Sequence, residues 1–241
     1  MKKQNFLKTR FFQILFVFCL FLSATTDSQA NTITLDISKA NRVNNSTQRI
    51  NVGTFTALVT AYTDLSSNST GTFTTSKLER YGSSFGIISS GDESHTVDNK
   101  RGVDFILLEF SSEVSLSSIR LNAYGDTDIE VWMGNAAPGL NLSGSSFNLL
   151  SSAGFEYLGA NYGDNKNRNA LFDSSITGNY LIISALRGHT DDRIKISNIL
   201  LNAVTNVPPP SLPPTDPIPE PASVALVLAG LVGARFRKKQ L

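Results

Sequence analysis

Apolar and polar residues alternate from Thr32 to Ile37, the period of a strand with one buried face. The same period, or a short unbroken apolar run, recurs over residues 50–62, 71–81, 85–89, 105–110, 114–123, 128–133, 155–160, 180–186 and 193–204. Gly, Asn, Asp and Ser fill the gaps, and these residues favour turns. No long stretch sustains the 3.6-residue period of an amphipathic helix. Many short strands at this spacing predict an all-β fold, a jelly-roll-like β-sandwich, over residues 31–206.

Two of these strands echo each other. The segment from Val114 to Ala123 aligns with that from Ile194 to Ala203. In both, the apolar phase slips by one residue: Val114 and Leu116 are followed by Ile119, Leu121 and Ala123, and Ile194 and Ile196 by Ile199, Leu201 and Ala203. A one-residue slip turns the buried face outward unless an extra residue absorbs it. The pattern therefore predicts a β-bulge near Ser117-Ser118 and another near Ser197-Asn198.

Composition narrows the chemistry. Cys19 is the only cysteine, so residues 31–206 are cysteine-free and must be held together by packing without disulfides. The whole chain carries +1, but the strand-rich body has 13 Lys or Arg against 17 Asp or Glu. An acidic body argues against nucleic-acid partners. His95 and His189 are the two histidines; neither has metal-pair spacing, and both are expected in loops. No Gly-x-Ser-x-Gly elbow, phosphate loop or dinucleotide fingerprint occurs, so no enzymatic role is expected.

The best constellation is Asp126, Asp128 and Glu130, which share one face of a strand at i, i+2 and i+4. Ile129, Val131 and Met133 take the other face, assigned to the core. Three acids together are a weak Ca²⁺ candidate; the simpler reading is the solvated face of an outer strand. Asp191-Asp192 and Asp92-Glu93 read as solvated loop acids. Trp132 shares the face of Asp128 and Glu130. If exposed it could stack on a sugar ring, with Tyr124, Tyr157 and Tyr162 as companions; otherwise a loop covers it. Asn45, Asn68 and Asn141 stand in Asn-x-Ser/Thr triplets, as expected by chance in a Ser/Thr-rich body.

The flanking segments carry signals of a different kind. Lys2, Lys3, Lys8 and Arg10 precede an apolar run from Phe11 to Leu22, and Ser28-Gln29-Ala30 offers small residues for cleavage. Residues 1–30 thus read as a secretory signal peptide. Phe18 before Cys19 argues against lipidation. Eight of the nine prolines fall between Pro208 and Pro221, and residues 207–218 read as a stiff, extended linker. Ala222 to Ala234 is almost wholly apolar, and Arg235, Arg237, Lys238 and Lys239 follow it. Thirteen helical residues rise only about 20 Å. They would make a short membrane helix with its basic end in the cytoplasm.

The order Pro219-Glu220-Pro221, apolar helix 222–234, basic cluster resembles the PEP-CTERM sorting signal of bacterial exosortase substrates. The resemblance covers residues 219–241 and implies that a membrane exosortase recognises Pro219, Glu220 and Pro221. It implies an exported, non-enzymatic protein of the cell surface or extracellular matrix, anchored in the membrane transiently or permanently. A simple anchor with Pro-Glu-Pro as spacer is the alternative. Leu212-Pro213-Pro214-Thr215-Asp216 also resembles the Leu-Pro-x-Thr-Gly signal of sortases, but Asp216 replaces the glycine at the cut. Within the body, His95-Thr96-Val97-Asp98-Asn99, Phe105 to Phe110 and Asp126 to Trp132 resemble segments of certain exosortase-dependent surface proteins. The alternative function is a carbohydrate-binding module for exopolysaccharide or envelope glycans.

Overall fold

The computed structural model of the chain describes residues 31–66, 71–89, 92–173 and 175–204. The expected signal peptide, Pro-rich linker and sorting tail and the Asn68 triplet lie outside the described residues. Among the described residues no helix is long and apolar enough to cross a membrane. The described residues form fourteen strands, in order: β1 (Thr32–Asp36), β2 (Asn41–Arg42), β3 (Thr47–Val52), β4 (Phe55–Asp64), β5 (Phe73–Thr75), β6 (Lys77–Tyr81), β7 (Ser84–Ser89), β8 (Asp92–Asp98), β9 (Val103–Ala123), β10 (Ile129–Gly134), β11 (Phe155–Asn161), β12 (Arg168–Leu171), β13 (Thr177–Ala185) and β14 (Arg193–Ala203). The protein is all-β, and its strands pair antiparallel in one continuous, curled sheet.

The sheet is continuous because β9 is 21 residues long and uses both edges along nearly all of its length. Its first half pairs with β4 on one edge, from Asp64↔Val103 to Ala57↔Phe110, and with β13 on the other. Its second half pairs with β14 from Val114 to Ala123, and with β12 between Ser118 and Leu121. Ser111, Ser112 and Glu113 lie exposed between the halves. The echoing segments are therefore neighbours in space, and both expected bulges are present in their ladder. Ile196 faces Leu121 while Asn198 faces Arg120, which leaves Ser197 extra. Leu200 faces Ser118 while Leu201 faces Leu116, which leaves Ser117 extra. Each bulge restores the apolar phase, so Leu116, Ile119, Leu121, Ile196, Ile199 and Leu201 are all buried in one core.

That main core takes alternate residues of both halves of β9. Ile106 and Leu108 meet Val59 and Ala61 of β4, Val131 and Met133 of β10, and Leu181 and Ile183 of β13. The remaining residues of the first half face the other way. Phe105 and Leu107 join Tyr62, Trp132, Tyr180 and Ile182 in a second core, roofed by Leu142, Phe147 and Leu150 from the long β10–β11 connection. Burial on both faces explains the unbroken apolar run at 105–108. Phe105 sits at the centre of the second core, stacked on Tyr62 at 5.3 Å and edge-on to Phe73 at 4.6 Å. Two buried hydroxyls pin the roof: Leu142 N donates to Tyr62 Oη at 3.3 Å and Leu140 N to Tyr180 Oη at 3.2 Å. Burial pushes both phenol pKa values up.

Several expectations from the pattern are corrected, including residues 71–81, which form two strands, β5 and β6. Residues 50–62 are not one strand but the hairpin β3–β4, because Gly53 takes a left-handed φ of 59° and turns the chain while the alternation continues across it. Residues 105–110 and 114–123 fuse into β9. β12 was hidden because an edge strand with one buried residue, Ala170, shows no alternation. β8 was hidden because it is polar: Ser94 Oγ donates to Asp98 Oδ2 at 2.6 Å and Thr96 Oγ1 to the same oxygen at 2.7 Å. His95, expected in a loop, lies in this strand.

Phe105→Ala is expected to lower unfolding free energy by about 3–5 kcal/mol, as for other buried aromatics. Ser112→Ala, at the exposed bend, should stay within about 0.5 kcal/mol. Urea titration followed by far-UV circular dichroism measures both; a loss below about 1 kcal/mol for Phe105→Ala contradicts the packing described.

Candidate functional site

Beyond the end of β9 the chain runs beside the segment that leads into β14. Tyr124 N and Gly125 N donate to Arg193 O at 2.9 and 3.1 Å, Asp126 N donates to Asp191 O at 3.1 Å, and Arg193 N returns a bond to Asp126 O at 2.9 Å. Asp126 and Asp192 form an isolated parallel bridge. Gly125 is needed for this approach, since a Cβ there would stand 2.7 Å from Asp191 O. The zipper brings Asp126, Asp128 and Asp192 together, with one carboxylate oxygen of each within 4.8 Å of the others.

Each carboxylate is oriented by a donor of the fold. Asp126 Oδ1 accepts from Thr127 N at 2.7 Å, and Asp128 Oδ1 accepts from Gly163 N at 2.5 Å. Asp192 Oδ2 accepts from Asn99 Nδ2, and Asn99 Oδ1 accepts from Asp192 N at 3.1 Å. Asp192 and Asp128 are buried, at 0% and 5% exposure. Asp192 Oδ1 is buried with no hydrogen-bond partner. Arg168 is the neighbouring cation, but its hydrogen bonds run to Thr127 and Asn161 and not to the aspartates. The Asp192 carboxyl is pushed up to about 7, first by burial and then by the like charges of Asp128 and Asp191, with Asn99 opposing.

The expected set of Asp126, Asp128 and Glu130 is thus corrected in one member. Glu130 is engaged elsewhere: Arg187 Nη2 and Nε reach its Oε2 at 2.7 and 3.0 Å, and Arg187 N reaches Oε1 at 2.8 Å. Nor is this an open solvated face, since Glu130 is only 3% exposed. Asp192 takes the third place, and Asn99 supports it. The signal that finds them is the echo itself. Pairing the two bulged strands antiparallel sets Ala123 against Ile194, and continuing that register brings Asp126 level with Asp191 and Asp192.

Trp132 is corrected as well. It is 5% exposed, lies 5.4 Å from Phe147 and 5.2 Å from Tyr157, and is covered by the Arg187 guanidinium at 5.1 Å from its ring centre. Its faces are filled, so it offers no stacking surface. Its neighbour Tyr157 remains exposed, as do Tyr162 and Tyr124. Burial and then the Glu130 charge push the Tyr157 hydroxyl up.

A second polar group sits at β6 and β8. Tyr81 Oη donates to Glu79 Oε2 at 2.6 Å and meets His95 Nδ1. Burial, then Glu79, pushes the Tyr81 hydroxyl up. Lys195 Nζ lies 4.4 Å from the ring centres of both Tyr81 and Tyr124. His95 holds a left-handed φ of 55°, uncommon for a residue with a side chain. His189 is exposed in the β13–β14 connection, and among the described residues no cation-binding group includes either histidine.

No protein-family model matches the chain, and no curated protein matches it. Solved structures with partial similarity include the C-terminal domain of a chitobiase from Bacteroides fragilis, at 16% identity and a TM-score of 0.31, over 43% of this chain and 66% of that one. An f-lectin (fucolectin) from the serum of striped bass, Morone saxatilis, matches at 13% identity and a TM-score of 0.28, over 44% of this chain and 34% of that one. The chain thus spans less than two thirds of the length of either structure.

The raised Asp192 pKa has a defined consequence for metal-free protein. Between about pH 4 and 7 the folded state holds a proton that the unfolded state has released, so this group's contribution to stability falls as pH rises. In EDTA, wild type should lose up to about 1.4 kcal/mol per pH unit across that window relative to Asp192→Asn. Denaturant titrations at several pH values read the difference; parallel pH profiles for the two proteins contradict it.

Proposed function

We propose that this chain is an exported, non-enzymatic component of the bacterial cell surface or extracellular matrix, delivered by its flanking segments. The observation that carries this is the uninterrupted order Pro219-Glu220-Pro221, apolar segment 222–234, then Arg235, Arg237, Lys238 and Lys239. Each part suits one task. The rigid Pro-Glu-Pro presents a fixed charge outside the membrane, the apolar segment holds the tail in the bilayer, and the basic cluster fixes its orientation. An exosortase is the processing partner that this order fits. The leader over residues 1–30 provides export, and the body reads as a jelly-roll-like sandwich formed by the curling of the sheet. The cysteine-free core agrees with this role, since stability then does not depend on the redox state outside the cell.

A second reading, binding of exopolysaccharide or envelope glycans, is favoured by the exposed Tyr157 and Tyr162 on and beside the edge strand β11. An apolar ring with a hydroxyl, next to the Glu130–Arg187 pair, suits a sugar better than a fully apolar ligand.

Glu220→Ala should leave export intact and block removal of the tail in the native host. Intact-mass measurement of surface and membrane fractions reads this, and processing at the wild-type rate contradicts the exosortase role. For the glycan reading, Tyr157→Ala with Tyr162→Ala should weaken retention on the host's own exopolysaccharide at least tenfold while the protein stays folded. Trp132→Ala should instead destabilise the fold by about 3–5 kcal/mol. Retention unchanged in the double variant rules out this surface.

A further inference from the structure

Asp126, Asp128 and Asp192 place three carboxylates around one point, two of them buried, and no ion pair to any of them is formed among the described residues. Buried carboxylates ordinarily carry a matching cation. Glu130 obeys this rule through Arg187, 2.7 Å away, whereas the aspartate group has only Arg168 nearby, with its hydrogen bonds spent on Thr127 and Asn161. The decisive atom is Asp192 Oδ1. It is fully buried and without a partner, on a residue whose other oxygen is tied to Asn99. An unpaired carboxylate oxygen inside a protein is costly, and a bound cation removes that cost.

We propose that Asp126, Asp128 and Asp192 bind a divalent cation, and that the cation is Ca²⁺. The donors are all carboxylate oxygens, which suits a hard ion; no histidine or cysteine joins them among the described residues, as Zn²⁺ would favour. One oxygen of each aspartate lies within 4.8 Å of the others, close enough to share one ion. Ca²⁺ accepts oxygens in flexible geometry, whereas Mg²⁺ demands a near-ideal octahedron and gives up its water reluctantly, so three carboxylates on separate segments favour Ca²⁺. The site is also prepared in advance. Thr127 N, Gly163 N and Asn99 Nδ2 hold one oxygen of each aspartate and leave the other free to turn to the ion. The bound ion joins the β9–β10 turn to the β13–β14 connection, two segments far apart in sequence that also meet through backbone hydrogen bonds. The inference stands on the body alone, whatever the fate of residues 219–241.

The test uses the full chain, purified in mild detergent and stripped with EDTA, then titrated calorimetrically with CaCl₂ and separately with MgCl₂. One saturable Ca²⁺ site with Kd below about 1 mM is expected, with Mg²⁺ at least tenfold weaker. At ten times Kd the melting temperature should rise by about 3–6 °C. Asp192→Asn should weaken Ca²⁺ binding at least tenfold and remove the shift. If Asp192→Asn does not fold, Asp126→Asn, at a partly exposed position, serves in its place and should show the same loss. No Ca²⁺ uptake by stripped wild type up to 10 mM, or undiminished uptake by the folded variant, overturns the proposal.

Discussion

The structure depends on the double use of β9. A strand of 21 residues that pairs along both edges commits its neighbours: β4 and β13 to its first half, β14 and β12 to its second. Because the sheet curls between the halves, Ile106 and Leu108 share one core with Leu116, Ile119 and Leu121. The bulges at Ser117 and Ser197 follow from the same constraint. Without them the second half would turn Ile119 and Leu121 outward, exposing about 1.5–3 kcal/mol of burial for each large side chain.

The same commitment builds the acidic site. Once β9 and β14 are in register, the residues just beyond their paired ends must run side by side, and these are Tyr124 to Asp126 and Asp191 to Arg193. Two neighbouring charge problems are then solved differently. Glu130 is buried with Arg187 folded over it and the guanidinium laid on Trp132 and Phe147. The aspartates, two of them buried, sit among donors that orient them and do not neutralise them. One arrangement is complete as built; the other is completed by an ion.

Much of this was legible in the sequence, and the failures have physical causes. The all-β class, most strands and both bulges came from apolar phase, which reports burial on one face directly. Gly53 was passed over because alternation says nothing about chain reversal. β8 was invisible because its face is satisfied by hydroxyl-to-Asp98 bonds, not by apolar contact. The acidic site was half legible: Asp126 and Asp128 are neighbours along the chain, while Asp192 joins them through a tertiary pairing. Trp132 was misplaced because phase gives the face of a strand and not what lies over it; Phe147, fifteen residues later, covers that face.

On the proposed reading, function enters through the segments on either side of this body, and the body's task is to persist where it is delivered. A cysteine-free, doubly packed sheet with exposed Tyr124, Tyr157 and Tyr162 fits the proposed envelope or matrix role. The most direct measurement is the mass of the mature protein recovered from the native cell surface and medium, with both termini identified. Delivery by a cleaved leader and a processed tail predicts a chain that begins at Asn31 and ends within Pro219 to Pro221. A recovered chain that retains Ala222 to Leu241 contradicts it and makes the protein a membrane-tethered domain.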